Sequence, residues 1–186
     1  MKVLAISGSL RRDSYNTNLL RSAAELAPAD VEIVLWDGLK DVPPFDEDDE
    51  ASAPAAVARM RDAVADADAV LFATPEYNSS IPGQLKNAID WLSRPKATAA
   101  LRNKPVAVVG ASMSAFGGVW AQAELRKVLA ASGARVVEGD VAVGHAHERF
   151  DENGILNDEN LREQLGEVVE SLVESTRMRA AIAAAA

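Results

Sequence analysis

Three short segments of this 186-residue chain concentrate side chains able to bind or orient a ligand. The first is Gly8-Ser9-Leu10-Arg11-Arg12-Asp13-Ser14-Tyr15-Asn16-Thr17-Asn18, with hydroxyls at Ser9, Ser14 and Thr17, an amide at Asn16 and a guanidinium at Arg11. Ahead of a helix, such groups would join free backbone N–H groups and the positive end of the helix dipole in holding an anion. A hydroxyl-rich loop suits a terminal phosphate monoester. It is not the Gly-x-Gly-x-x-Gly turn that seats a pyrophosphate, nor the Gly-x4-Gly-Lys-Ser/Thr of a P-loop. Taken alone, it also reads as a polar loop with a good helix cap.

The second segment is Thr74-Pro75-Glu76-Tyr77-Asn78-Ser79-Ser80-Ile81-Pro82-Gly83, running on through Leu85-Lys86-Asn87-Ala88-Ile89-Asp90-Trp91. An aromatic residue between two prolines makes a stiff wall for a flat ring, and Gly83 allows close approach of backbone or ligand. The third, Gly110-Ala111-Ser112-Met113-Ser114-Ala115-Phe116-Gly117-Gly118, has paired glycines before a helix, a common feature and a weak signal by itself. Together they describe a phosphate at one end, a planar ring at the other, and few titratable groups between. No Ser–His–Asp order is present and Glu76 is the one carboxylate of the ring loop, as expected where a cofactor supplies the reactivity.

These segments follow short apolar runs that alternate with helical patterns. Val3–Ser7, Val31–Trp36, Ala69–Thr74, Pro105–Gly110 and Arg135–Val143 read as strands, the near-continuous apolar ones covered on both faces. Helices are expected from Asn16 or Thr17 to Pro28, Pro54 to Asp66, Pro82 to Ser93, Gly118 to Ser132 and Asp158 to Arg179. Alternating strands and helices predict an α/β domain with a five-stranded parallel sheet between two helical layers. Ligands of such sheets bind beyond the carboxyl ends of the strands, where the three segments lie. Residues 1–186 read as one domain, with a fraying tail over Ala180–Ala186. The acidic run Asp46–Glu50 reads as solvated loop, and His145 and His147 as loop residues.

Composition narrows the function further. A net charge of −9 argues against a nucleic-acid partner, because phosphate polymers are held by clustered Lys and Arg. The absence of Cys removes disulfides, thiolate catalysis and Cys-bound metal. No apolar stretch approaches the ~20 residues that span a bilayer. The first apolar run stops at Gly8, too short for an export signal, so a cytoplasmic location is expected.

The Gly8-Ser9-Leu10-Arg11 segment with Ser14 and Asn16, and the Pro75–Asn78 and Pro82–Trp91 segments, resemble the NADPH-dependent FMN reductase family. Phe150-Asp151-x-x-Gly154 adds to the likeness, while Ser114 stands where relatives often carry glycine. The resemblance implies a flavodoxin-like three-layer αβα sandwich with strand order 2-1-3-4-5. It implies that Ser9, Arg11, Ser14, Tyr15, Asn16 and Thr17 hold the phosphate and ribityl chain of FMN. Pro75, Glu76, Tyr77 and Asn78 would flank the isoalloxazine, and Ser112, Gly117 and Gly118 its pyrimidine edge.

The activity so implied is a ping-pong transfer of hydride from NADPH or NADH to FMN and then to a flavin, quinone, azo compound or chromate. No side chain is expected to act as nucleophile or general acid. The competing reading is a non-enzymatic flavodoxin-type electron carrier that docks basic partners through its acidic surface. The apolar content of the helix after Pro82 (Leu85, Ala88, Ile89, Trp91, Leu92) further suggests a homodimer or homotetramer.

Overall fold

Every second residue of the central strands packs against a different layer of helices, and this alternation organises the molecule. The computed structural model describes residues 1–185. Its sheet is built from β1 (Lys2–Ser7), β2 (Glu32–Trp36), β3 (Ala69–Ala73), β4 (Pro105–Ala111), β5 (Arg135–Val136) and β6 (Ala142–Val143). All pairings are parallel, in the order β2-β1-β3-β4-β5 with β6 also on β4. The helices are α1 (Tyr15–Glu25), α2 (Ala55–Asp66), α3 (Gly83–Leu92), α4 (Val119–Ala131) and α5 (Glu159–Ala184).

Leu4, Ile6, Val70, Phe72, Val106 and Val108 face one way, onto Val57 and Met60 of α2, Leu85 and Ile89 of α3, and Leu125 of α4. Val3, Ala5, Leu71, Ala73, Ala107 and Val109 face the other way, onto Leu19 and Leu20 of α1 and Leu165, Val169 and Leu172 of α5. Both faces of β3 and β4 are therefore buried, which explains their unbroken apolar sequence. This is the expected flavodoxin-like sandwich.

The fifth strand departs from expectation. Instead of one run over 135–143, the chain pairs as β5, leaves β4 through Glu138-Gly139-Asp140, and returns as β6. Gly139 has φ +131°, a conformation L side chains resist. Arg126 of α4 bridges the gap, its Nη2 donating to Val108 O at 2.9 Å and to Gly139 O at 2.7 Å. The guanidinium thus satisfies carbonyls that the interrupted ladder leaves open.

A second departure is the C-terminus. Helix α5 continues to Ala184 rather than ending near Arg179, because alanine is the strongest helix former and extends a helix already anchored by packing up to Thr176. Of the tail expected to fray, Ala186 lies outside the described residues. No helix among the described residues is long and apolar enough to cross a membrane.

The helix after Pro82 also differs from its sequence reading. Leu85, Ala88, Ile89, Trp91 and Leu92 are all buried within the single chain. The segment 37–53 wraps over α3 and supplies the cover. Trp91 Nε1 and Asn87 Nδ2 both donate to Pro43 O, at 2.9 and 2.8 Å, while Asn87 Oδ1 accepts from the Phe45 N–H at 2.6 Å. The apolar surplus of α3 therefore needs no partner chain.

Candidate functional site

The loops after β1, β3 and β4 meet at the carboxyl edge of the sheet around a cleft of about 220 Å³. The first loop contributes Ser9, Arg11, Ser14, Tyr15 and Asn16, the second Pro75, Glu76 and Tyr77, and the third Ala111, Ser112 and Met113. Thr17, Asn78, Gly117 and Gly118 do not line it. A wider cavity of about 900 Å³ opens at the opposite end of the sheet, between the last turns of α3 and α4. It is lined from the segments that precede β4 and β5, so it lies away from the edge where ligands of this fold bind.

Ser14 forms the first wall by ending the loop as the N-cap of α1. Its hydroxyl accepts from the Asn16 and Thr17 N–H groups, at 3.2 and 3.4 Å. No acidic residue sits in the first turn of α1, so the positive helix end is left for an incoming anion. Ser9 Oγ accepts from the Arg11 N–H at 3.3 Å. The Arg11 guanidinium turns back over the loop, donating to Asp13 O from Nε at 3.1 Å and from Nη2 at 2.5 Å. It rests 5.3 Å from the Tyr15 ring centroid, and Tyr15 stacks on Phe150 at 5.6 Å. The planar fork is thus held beside the helix N-terminus with Nη1 uncommitted.

Phe150 is held by a compact turn. Asp151 Oδ1 accepts from the Asn153 and Ile155 N–H groups, and Gly154 takes φ +78°. A Cβ on Gly154 would meet Asn18 of α1 at 2.7 Å. The Phe150-Asp151-x-x-Gly154 pattern therefore supports the Tyr15 stack from behind.

Two of the residues expected at the ligand, Asn16 and Thr17, commit their side chains to bonds within the protein. Asn16 is 3% exposed and bonds Ala111 with both ends of its amide. Thr17 Oγ1 donates to Ser7 Oγ at 3.0 Å, inside the loop rather than into the cleft. Their types were legible as polar loop residues, but their partners come from β4 and β1.

In the second loop, Tyr77 and Ser80 exchange backbone hydrogen bonds at 3.0 and 3.1 Å. The residues between them, Asn78 and Ser79, have φ of 52° and 61°, the pair of left-handed residues that a tight type I′ hairpin turn requires. Asn tolerates this conformation, which accounts for Asn78 at the turn tip rather than in the wall. Tyr77 is left 53% exposed at the mouth of the cleft. The Glu76 carboxylate points to α4, where Oε2 accepts from the Trp120 and Ala121 N–H groups, both at 3.1 Å.

The glycine pair of the third loop serves the scaffold. A Cβ on Gly117 would lie 2.4 Å from Ala142 C, so this glycine lets the loop pass against β6. Gly118 is the N-cap of α4 at φ +77°. Ser112 stays at the cleft, and Ser112 Oγ lies 3.1 Å from Ser114 Oγ. A serine at position 114 is thus accommodated by a hydroxyl pair. Ala111 and Met113, which carry no polar signal in the sequence, join the lining.

Chemically, the cleft offers hydroxyls and a guanidinium at one end and an aromatic mouth at the other. It contains no His or Lys, and its carboxylate is turned aside into a helix cap.

Residues 1–148 match the NADPH-dependent FMN reductase family. An NAD(P)H-dependent FMN reductase of Pseudomonas aeruginosa is 42% identical over 174 residues, covering 92% of this chain and 93% of that protein. A 2-hydroxy-1,4-benzoquinone reductase of a Burkholderia species is 37% identical over 166 residues, covering 89% and 90%. Among solved structures, FerB, a flavoenzyme NAD(P)H:(acceptor) oxidoreductase from Paracoccus denitrificans, superposes with a TM-score of 0.83 at 34% identity, covering 95% of this chain and 97% of FerB. Fold, cleft and sequence agree: the chain belongs to the NADPH-dependent FMN reductase family.

Proposed function

We propose that this chain holds FMN in the cleft and passes electrons from NADPH or NADH to a small acceptor by a ping-pong mechanism. The observation that carries the reading is the convergence of an uncompensated helix N-terminus, a serine-rich loop, an anchored Arg11 and an exposed Tyr77 on one cleft. That donor set fits a phosphate monoester joined to a flat ring. FMN held there would supply the redox chemistry, as acceptor of hydride from a nicotinamide and source of electrons for a flavin, quinone, azo compound or chromate.

The residues of the chain bind, orient and exclude water. Ser9, Ser14 and Arg11 hold the phosphate end, where charge-assisted bonds from a fixed guanidinium are strongest. Tyr15 offers its hydroxyl along the ribityl path. Pro75, Glu76 and Tyr77 present backbone and a ring face to the isoalloxazine, with Ser112 at its pyrimidine edge. Thr17, Asn78, Gly117 and Gly118 act one step back, by shaping the three loops, and the Asn16 amide fastens the first loop to β4 at the edge of the cleft. No side chain is assigned as a proton donor or nucleophile.

Among the exposed large apolar residues, Met178 and Ile182 stand apart near the end of α5, while Leu10, Tyr77, Met113, Phe116, Val119 and Trp120 lie on the loops after β1, β3 and β4 or on the first turn of α4. Such a patch on a soluble protein marks a contact surface. We assign it to self-association, as a homodimer or a homotetramer; light scattering that gives a monomer at every concentration contradicts this.

Anaerobic stopped-flow mixing of the flavin-loaded protein with each nicotinamide tests the reading. Bleaching of the flavin absorbance, followed by recovery on addition of a benzoquinone, is expected. Steady-state rates at several fixed quinone levels should give parallel double-reciprocal lines. Absence of bleaching with both nicotinamides removes the enzyme reading, and intersecting lines remove the ping-pong order.

A further inference from the structure

We propose that Glu76 is a positioning residue: it ties the ring-facing loop to α4 and so fixes the cleft without its side chain touching the flavin. The proposal rests on the FMN reading above.

Helix α4 begins without the usual local capping devices. Its N-cap is Gly118, which has no side chain to accept a hydrogen bond, and its first turn holds no acidic residue. Glu76 supplies both, from a loop more than forty residues earlier. Its Oε2 accepts from the N–H groups of Trp120 and Ala121, each at 3.1 Å. One carboxylate oxygen therefore satisfies two orphan donors and sets a negative charge on the positive helix end.

The same residue lines the cleft, between Pro75 and Tyr77. The contact is close on the backbone side as well, because a Cβ on Gly118 would come 3.7 Å from Glu76 Cβ and 3.9 Å from Glu76 N. Beyond Gly118 the helix carries Trp120, whose ring meets Phe116 edge-on at 5.0 Å, both rings standing in solvent. The Glu76 side chain thus joins the loop that carries Tyr77 to the first turn of α4, beside the Phe116–Trp120 pair. The two hydrogen bonds direct the charge of the carboxylate onto the N-terminus of α4.

The test uses the full-length apoprotein and two readouts: FMN affinity from flavin-fluorescence titration, and thermal unfolding without flavin. Glu76→Gln keeps the accepting oxygen and should bind FMN within about threefold of wild type, since amide and carboxylate caps are close in strength. Glu76→Ala should weaken FMN binding by about tenfold. Glu76→Ala combined with Val119→Asp places an acid in the first turn of α4 without rejoining the loop. That double variant should recover thermal stability while FMN binding stays weak, and it supplies the affinity measurement if the single variant does not fold.

Wild-type affinity in Glu76→Ala overturns the proposal. So does recovery of affinity together with stability in the double variant, which would make Glu76 a helix cap and nothing more. Equal weakening in Glu76→Gln and Glu76→Ala overturns it too. A wild-type protein that takes up no FMN removes the parent reading and this one with it, an outcome distinct from a variant that binds as wild type does.

Discussion

Asn16 pairs with Ala111 as a neighbouring strand would: its Nδ2 donates to the Ala111 carbonyl and its Oδ1 accepts from the Ala111 N–H, both at 2.9 Å. The amide pairs with the last residue of β4 and fastens the phosphate-facing loop to it. Asn16→Ala leaves two buried backbone groups unpaired, and a loss of about 2–4 kcal/mol in urea unfolding is expected. Asn16→Asp should be as harmful, because a carboxylate would face the Ala111 carbonyl. A change below about 0.5 kcal/mol in either variant contradicts the pairing as a stability determinant.

Arg11 is held flat on Tyr15 and bound to Asp13 O before any ligand arrives. An anchored guanidinium loses little entropy on binding phosphate. Arg11→Ala is expected to weaken FMN about tenfold or more, with turnover of the fully loaded enzyme nearly unchanged. Arg11→Lys should restore only part of the affinity, since an ammonium reproduces neither the fork nor the stack. Equal affinity of Arg11→Ala and wild type in a fluorescence titration assigns the phosphate to other donors.

Ser79 occupies the second left-handed position of the Tyr77–Ser80 turn, where glycine is the preferred residue. Ser79→Gly relieves that strain at the cost of a more flexible unfolded chain. A net gain of about 0.5–1 kcal/mol in urea unfolding is predicted. A loss of stability would show that Ser79 makes a contact outweighing its backbone strain.

Lys104 is buried beneath the sheet, its Nζ donating to Ala65 O at 3.2 Å and to Ala67 O. Burial, with Arg179 nearby adding to it, holds its pKa below the ordinary 10.5. Between the depressed folded-state value and 10.5 the unfolded chain binds the extra proton, so this group makes stability rise with pH across that window. Below the window the full cost of the buried charge is present. Wild type should therefore gain on Lys104→Met as pH increases through the window, in paired denaturation midpoints. A constant difference between the two proteins contradicts a perturbed Lys104.

Much of this was legible from residue order. Doubly covered strands are unbroken apolar runs, so β1, β3 and β4 announce both themselves and the parallel sheet. The three loops were legible because polar residues after a buried strand have few other reasons to be there. What could not be read is where side chains find partners far along the chain. Asn16 and Glu76 both line the cleft, but the partners of their side chains, Ala111 and the start of α4 at Trp120, lie far along the chain. Trp91 and its neighbours look like an interface until the segment around Pro43 and Phe45 covers them.

The division of the fifth strand was signalled by Glu138-Gly139-Asp140, turn-forming residues inside an otherwise strand-like run. The closing of the gap by Arg126 was not signalled, since nothing local distinguishes that arginine from others on a helix surface.

The central claim is that the loops after β1, β3 and β4 form one FMN site. Titrating the apoprotein with FMN, and following the quenching of flavin fluorescence alongside the visible spectrum, tests it most directly. Saturable uptake at micromolar flavin, with one FMN per chain and weaker uptake in Arg11→Ala, is predicted. No saturable uptake at those concentrations, or uptake unaffected by substitutions in all three loops, would contradict it.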